Sequence, residues 1–198
     1  TWTDISGSST TYNATLNNSP TFVSSGTKHF SFDGSNDYAR ISRPVSDDFS
    51  LGIWFNTTVN TGNGASQYQW WSGRGMLDGE VGGTTNDFGI SMGAGIVMFG
   101  TGQSDTTIRS TSTLNDGNWH YALATRTKST GAIQLYIDGS LDASTTTNNT
   151  SSLNAPSYID IGRLQAGGDY WQGKVSKVHI YNRVLTSTEV ATNYSAGA

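Results

Sequence analysis

Phe49, Leu51, Ile53 and Phe55 alternate with Ser50, Gly52 and Trp54, so one side of this segment is wholly apolar at a spacing of two. Side chains alternate faces along a strand but recur every 3.6 residues along a helix, so the pattern fits an extended, half-buried strand. Shorter runs of the same kind recur to the end of the chain. Between them stand clusters of Gly, Asn, Asp and Ser, which favour turns because they tolerate positive φ or bond their own backbone. Ser, Thr, Asn and Gly together make 92 of 198 residues. Such a chain is poor material for helix interiors, and no βαβ rhythm is present. A helical bundle and an α/β sheet are both excluded.

The strands expected from this reading are residues 28–32, 38–41, 49–55, 68–72, 88–92, 96–99, 119–126, 140–145, 158–162 and 174–182, with Ile133, Leu135 and Ile137 marking one more. The polar turn 33–37 reads as closing a hairpin between the first two. Asp138-Gly139 reads as a second hairpin turn. The step from Val175 to Val178 breaks the alternation and predicts either a bulge or a switch of face. One helix is expected: Thr186 and Glu189 have capping-box spacing, and Val190 and Tyr194 follow at i, i+4. The expected fold is all-β, a two-sheet antiparallel jelly-roll sandwich with one short C-terminal helix, in a single domain over residues 1–198.

Composition narrows the partners. Lys and Arg number 11 against 15 acids, scattered, for a net charge of −4, which makes no nucleic-acid stripe. The longest apolar run, 95–99, is too short to insert in a membrane. The chain has no Cys, which fits an extracellular protein of bacterial or viral type, although a reduced cytosolic protein can also lack Cys, and its start at Thr1 reads as an excised or processed segment. Asn13, Asn17, Asn56, Asn148, Asn149 and Asn193 begin Asn-x-Ser/Thr triplets. With Ser and Thr at 53 of 198 residues, fifteen Asn yield about four by chance, so the six carry no glycosylation signal.

The order of several segments is more specific than any one of them: Trp2-Thr3-Asp4-Ile5-Ser6-Gly7, Phe30-Ser31-Phe32-Asp33-Gly34, the 49–55 strand, Asp116-Gly117-Asn118-Trp119-His120, Leu135-Tyr136-Ile137-Asp138-Gly139, Ile159-Asp160-Ile161-Gly162-Arg163 and Val178-His179-Ile180-Tyr181-Asn182-Arg183. In this order and spacing the chain resembles the laminin-G-like, concanavalin A-like lectin and glucanase superfamily, particularly its bacterial and phage surface-protein branch. The resemblance implies two antiparallel sheets, one concave, with loops carrying any ligand. It also implies an adhesion or glycan-recognition role.

The glucanase branch of that superfamily carries Glu-x-Asp-x-Glu on one strand, and this chain has no such motif. Its two Glu are Glu80, in the turn 78–83, and Glu189, in the helix cap; Asp78 and Glu80 share a face only if that turn is extended. His29, His120 and His179 are widely separated, each in an expected strand, and no Gly-x-Ser-x-Gly elbow is present. Calcium takes oxygen ligands, and the superfamily often holds it at the sandwich rim. Asp87 and Asp169 are the candidate ligands for one Ca2+, with Asp4 and Ser6 a further oxygen cluster, although Asx-turns are the commoner use of such aspartates. Arg163-Leu164-Gln165 stands where the pentraxin branch has acids, which argues against a paired-calcium site.

Glycan binding uses aromatic faces for sugar C–H surfaces and polar groups for hydroxyls. The stretch 63–83 supplies Tyr68, Gln69, Trp70, Trp71, Arg74 and Asp78, and Tyr170-Trp171-Gln172 adds a second aromatic cluster. Trp171 reads as packing. In a strand, Trp70 and Trp71 would face opposite ways, so only one belongs to the core. On 119–125, Trp119, Tyr121 and Leu123 share one face and His120, Ala122 and Ala124 the other, and either face is a candidate for the inside. The expected function is a non-enzymatic binding or adhesion module of an extracellular, cell-surface or virion protein. It takes a glycan or cell-surface receptor through Tyr68, Trp70, Trp71, Arg74, Asp169 and Tyr170. The alternatives are a structural decoration or fibre domain contacting other subunits of a surface assembly, and, behind it, a glycoside hydrolase.

Overall fold

The computed structural model describes residues 1–60, 68–83 and 85–198. The part of the 63–83 stretch before Tyr68 lies outside the described residues. Fourteen strands and one helix are present among the described residues: β1 (Thr15–Asn17), β2 (Thr21–Val23), β3 (His29–Asp33), β4 (Tyr38–Ser42), β5 (Phe49–Asn56), β6 (Arg74–Asp78), β7 (Phe88–Gly93), β8 (Ile96–Thr101), β9 (Thr106–Arg109), β10 (His120–Thr127), β11 (Ala132–Ile137), β12 (Ser140–Thr146), β13 (Tyr158–Ile161), β14 (Gln172–Tyr181) and α1 (Ser187–Ser195). They form two antiparallel seven-stranded sheets, in the orders β1-β4-β13-β6-β7-β8-β9 and β12-β11-β10-β5-β14-β3-β2. The expected jelly-roll sandwich is what forms.

The alternation that singled out β5 decides its packing. Phe49, Leu51, Ile53 and Phe55 are fully buried between the sheets with Phe88, Ile90, Val97, Phe99, Ile159 and Ile161. Burying aromatic side chains of this size stabilises by roughly 1.5–3 kcal/mol each before entropy is counted. The other face of β5 carries Trp54 into a second, smaller cluster with Tyr121, Leu123, Tyr136, Leu185 and Val190, roofed by α1. Trp54 stacks on Tyr121 and on Tyr194 of the helix. This settles the two faces of β10: Ala122 and Ala124 point into the main core, and the aromatic face lies outside under α1. Gly52 makes room for it, since a Cβ there would stand 3.0 Å from Cζ of Tyr121.

The Asp138-Gly139 hairpin forms between β11 and β12, with φ of 49° and 82° matching the turn whose two central residues are left-handed. The bulge between Val175 and Val178 is present, and the capping box at Thr186 is made in both directions. Two expectations need correction. Residues 28–41 are not a hairpin: β3 pairs with β2 and β14, while β4 pairs with β1 and β13 in the opposite sheet. Phe30 and Phe32 meet Ala39 and Ile41 across the core, so the 33–37 turn carries the chain from one layer to the other. The expected strand at 68–72 is instead a turn lying over the outer face of the first sheet.

Candidate functional site

One row of cross-strand neighbours organises the outer face of the first sheet. Thr15, Arg40, Asp160, Asp78, Gly89, Gly100 and Thr107 stand directly opposite one another from β1 to β9. Directly paired residues share a face. The flanking Ala39, Ile41, Ile159, Ile161, Phe88 and Ile90 point into the core, so the row points out.

Gly89 and Gly100 leave a trough in that face, and Trp70 fills it. A Cβ on Gly100 would lie 2.6 Å from Cγ of Trp70, and one on Gly89 3.2 Å from the same ring. Trp70 is 1% exposed. Its turn is tied down by outward side chains of β7 and β9. Ser91 Oγ donates to the Trp70 carbonyl at 2.5 Å, Thr107 Oγ1 donates to Gln69 Oε1 at 2.7 Å, and Arg109 Nε donates to the Tyr68 carbonyl at 2.8 Å. Arg109 also lies 5.6 Å from the centre of the Tyr68 ring.

Beside the Trp70 ring opens a hollow of about 220 Å³ lined by Trp70, Trp71, Glu80, Gly83, Asp87 and Asp105. Three buried polar atoms of this lining have no hydrogen-bond partner: the indole nitrogen of Trp71, Glu80 Oε2 and Asp87 Oδ1; the Trp70 indole N–H is directed at the Asp105 carboxylate. The second oxygen of Asp87 accepts from the Val81 N–H at 2.8 Å. Burial, then the charges of Asp87 and Asp105, push the Glu80 carboxyl up to about 7. Burial likewise raises Asp87 and Asp105, the Trp70 indole opposing the shift of Asp105. Behind the hollow, Asp78 is fully buried and raised well above the usual carboxylate range by desolvation, although its Oδ2 accepts from the Gln165 and Glu80 N–H groups.

The other end of the row is cationic. Arg40 binds Asp160 through Nε at 2.6 Å and Nη2 at 2.8 Å, and Arg163 reaches the same carboxylate through Nε at 3.0 Å and Nη2 at 2.8 Å. The Arg163 guanidinium lies 4.3 Å over the Tyr38 ring and that of Arg40 4.9 Å over Tyr158. Arg74 Nη1 donates to the Tyr170 carbonyl at 2.5 Å, and the Tyr170 ring is 6.5 Å from Tyr38.

The residues expected from sequence are therefore divided. Trp70 and Trp71 share the hollow with Asp87; Trp70 is the buried member and Trp71 is half-buried. Arg74 and Tyr170 sit together on the Arg163 side, and Tyr68 forms a rim under Arg109. Asp169 does not line the hollow. Its carbonyl accepts from the Gly75 and Leu164 N–H groups, and its charge acts on Glu80. Asp4 accepts from the Ser6 and Tyr12 N–H groups, an Asx-turn use. His29, His120 and His179 lie in β3, β10 and β14 as expected; His120 is held by Asp138 and Asp116, and His179 by the Tyr121 hydroxyl. Sequence reasoning missed Asp105, Tyr38, Arg40 and Tyr158. The i, i+2 pairs Tyr38/Arg40 and Tyr158/Asp160 were the readable signal, since each puts two functional side chains on one strand face.

The donor set does not fit the expected calcium. Among the described residues no three acidic or imidazole side chains are placed to hold a metal ion. Among the unpaired atoms in the hollow is the Trp71 N–H, a donor that repels a cation rather than binding it.

A family model described as the concanavalin A-like lectin/glucanases superfamily matches residues 33–191. No sequence among the curated proteins matches. Among solved structures, the chain is similar to the botulinum neurotoxin serotype G binding domain at 20% identity and TM-score 0.72, covering 98% of this chain and 48% of that one. It is similar to the binding domain of Paraclostridial Mosquitocidal Protein 1 at 16% identity and TM-score 0.73, covering 98% and 49%. It is also similar to the botulinum neurotoxin serotype D ligand binding domain in complex with N-acetylneuraminic acid, at 14% identity and TM-score 0.72, covering 98% and 48%. The chain spans about half the length of these domains, and at such identity the likeness is one of fold.

Proposed function

The chain belongs to the concanavalin A-like lectin/glucanases superfamily, and on that footing we propose that it is a non-enzymatic glycan-binding module of an extracellular surface, cellular or virion. The hollow beside Trp70 takes the sugar. One observation carries this: its unpaired atoms are a donor, the Trp71 N–H group, and two acceptors, Glu80 Oε2 and Asp87 Oδ1. A metal ion asks for acceptors alone and a simple anion for donors alone. A sugar hydroxyl both donates and accepts, so a polyol satisfies the mixed set. Trp71, half-buried, offers aromatic surface for sugar C–H groups. The serotype D neighbour, which binds N-acetylneuraminic acid, supports the same class of ligand.

A glycan array probed with the protein and with Trp71→Ala tests the reading. Binding by the wild type and its loss in a normally folded Trp71→Ala are expected; an array on which the wild type binds nothing sinks the proposal. A second reading, a decoration domain, is favoured by exposed apolar residues near a sheet edge: Phe22, 55% exposed on edge strand β2, and Ile5. It requires self-association, which sedimentation velocity reads directly.

A further inference from the structure

We infer that Arg40 and Arg163, pinned by Asp160 on the outer face, form a second subsite that takes the carboxylate or sulfate group of an acidic glycan. The inference rests on the glycan-binding reading and adds a place and a charge to it.

The geometry exceeds what a structural ion pair needs. Asp160 is fully buried, and a buried carboxylate demands a partner. Arg40 alone meets that demand, because its fork bonds both carboxylate oxygens. Arg163 nevertheless adds two further contacts to one of those oxygens. Two guanidinium groups on one carboxylate leave a net charge of +1 at this spot. Each guanidinium has five N–H donors and spends two on Asp160, so three of each are not used by it.

The site is also rigid and reachable. The side chains of Arg40 and Arg163 are 30% and 19% exposed, against 0% for Asp160, so the cations face solvent and their tether does not. Tyr38 and Tyr158 hold the two planes by cation–π contact, which removes much of the entropy an arginine loses on binding. Tyr158 is 44% exposed, an aromatic surface for a pyranose ring next to the cations. Planar, paired guanidinium donors suit the oxygens of a carboxylate or sulfate better than single hydroxyls. The hollow by Trp71, lined by three acids, has the opposite preference. The face therefore separates two kinds of subsite: acidic groups at β4 and β13, neutral hydroxyls at β6 to β8.

The test is an array of neutral glycans printed beside their carboxylated and sulfated counterparts, probed at low and high salt with wild type, Arg163→Gln, Tyr158→Ala and Trp71→Ala. Wild type should bind the acidic members at least about tenfold more tightly, with an advantage that shrinks in salt. Arg163→Gln keeps the Arg40–Asp160 pair intact and should abolish that advantage while neutral glycans still bind. Exposed Tyr158→Ala, whose melt should match wild type, should weaken acidic binding too and guards against a folding artefact in Arg163→Gln. Comparison of the carboxylated with the sulfated members identifies the group taken. Equal binding of acidic and neutral glycans, or an acidic preference that survives both substitutions, overturns the subsite and leaves the module a lectin for neutral sugars. Loss of all binding in Trp71→Ala, with only the charge preference lost in Arg163→Gln and Tyr158→Ala, supports two cooperating subsites. No binding by wild type overturns both readings.

Discussion

The Trp70 ring rests on the bare backbone of Gly100: a Cβ there would stand 2.6 Å from Cγ of the tryptophan. Gly100→Ala should therefore push the ring out of its trough or bend β8. Overpacking of this kind costs about 1–3 kcal/mol. A urea melt should show the loss, and near-UV circular dichroism should change because Trp70 moves. Wild-type stability in the variant would mean that the ring shifts freely.

Trp70 and Trp71 should separate stability from binding. Trp70→Ala empties a fully covered site and should cost about 3–5 kcal/mol. Trp71→Ala should cost less than about 1 kcal/mol, since the side chain is half-buried, yet remove glycan binding. Thermal melts paired with array binding check both. Similar melts for the two variants would contradict the burial difference.

Acid should stabilise the hollow. Glu80 is raised from 4.5 to about 7, so the folded chain holds more protons than the unfolded one between those values. The stability it contributes is complete below pH 4.5 and is lost as pH rises through about 7. With solvent reaching a half-buried carboxyl, its share is on the order of 1 kcal/mol. His120 is raised as well and changes in the same direction, so the informative comparison is with Glu80→Gln. Between about pH 5 and pH 8 the variant should lose less stability than wild type in urea melts. Parallel pH dependence would remove Glu80 as the cause.

Calcium can be tested without knowing the glycan. The donor set of the hollow predicts that millimolar calcium and EDTA give melting temperatures within about 1 °C of each other. A calcium-dependent rise lost in Asp87→Asn would restore the metal reading.

The helix roof depends on its cap. Glu189 N–H donates to Thr186 Oγ1 at 3.3 Å and Thr186 N–H donates to Glu189 Oε2 at 2.8 Å. Thr186→Ala should cost about 1 kcal/mol, read as a lower melting temperature, because α1 buries Val190 on the outer aromatic cluster.

Much of this architecture is local and therefore legible. The faces of β5, the left-handed pair Asp138-Gly139 and the Thr186 cap depend on residues a few positions apart. The 33–37 turn misled because turn chemistry reverses a chain without saying which sheet receives the next strand. The 68–72 segment misled because a row of aromatics reads as a strand, whereas two glycines on neighbouring strands, Gly89 and Gly100, had made a trough for one of them. Trp70 and Trp71 were found from sequence as aromatics fit for a sugar. Their division into a buried ring and a half-exposed one required the trough.

The sequence by itself determined the fold class, the helix and the family, since periodicity, turn residues and segment order are properties of the chain. Only the tertiary structure decided the site. Arg40 and Asp160 are 120 residues apart, and Glu80 and Asp87 come from the β6–β7 connection while Asp105 comes from the β8–β9 connection. What brings them together is strand register, which is set by burying one face of every strand at once. The other face, freed from the core, is where chemistry accumulates.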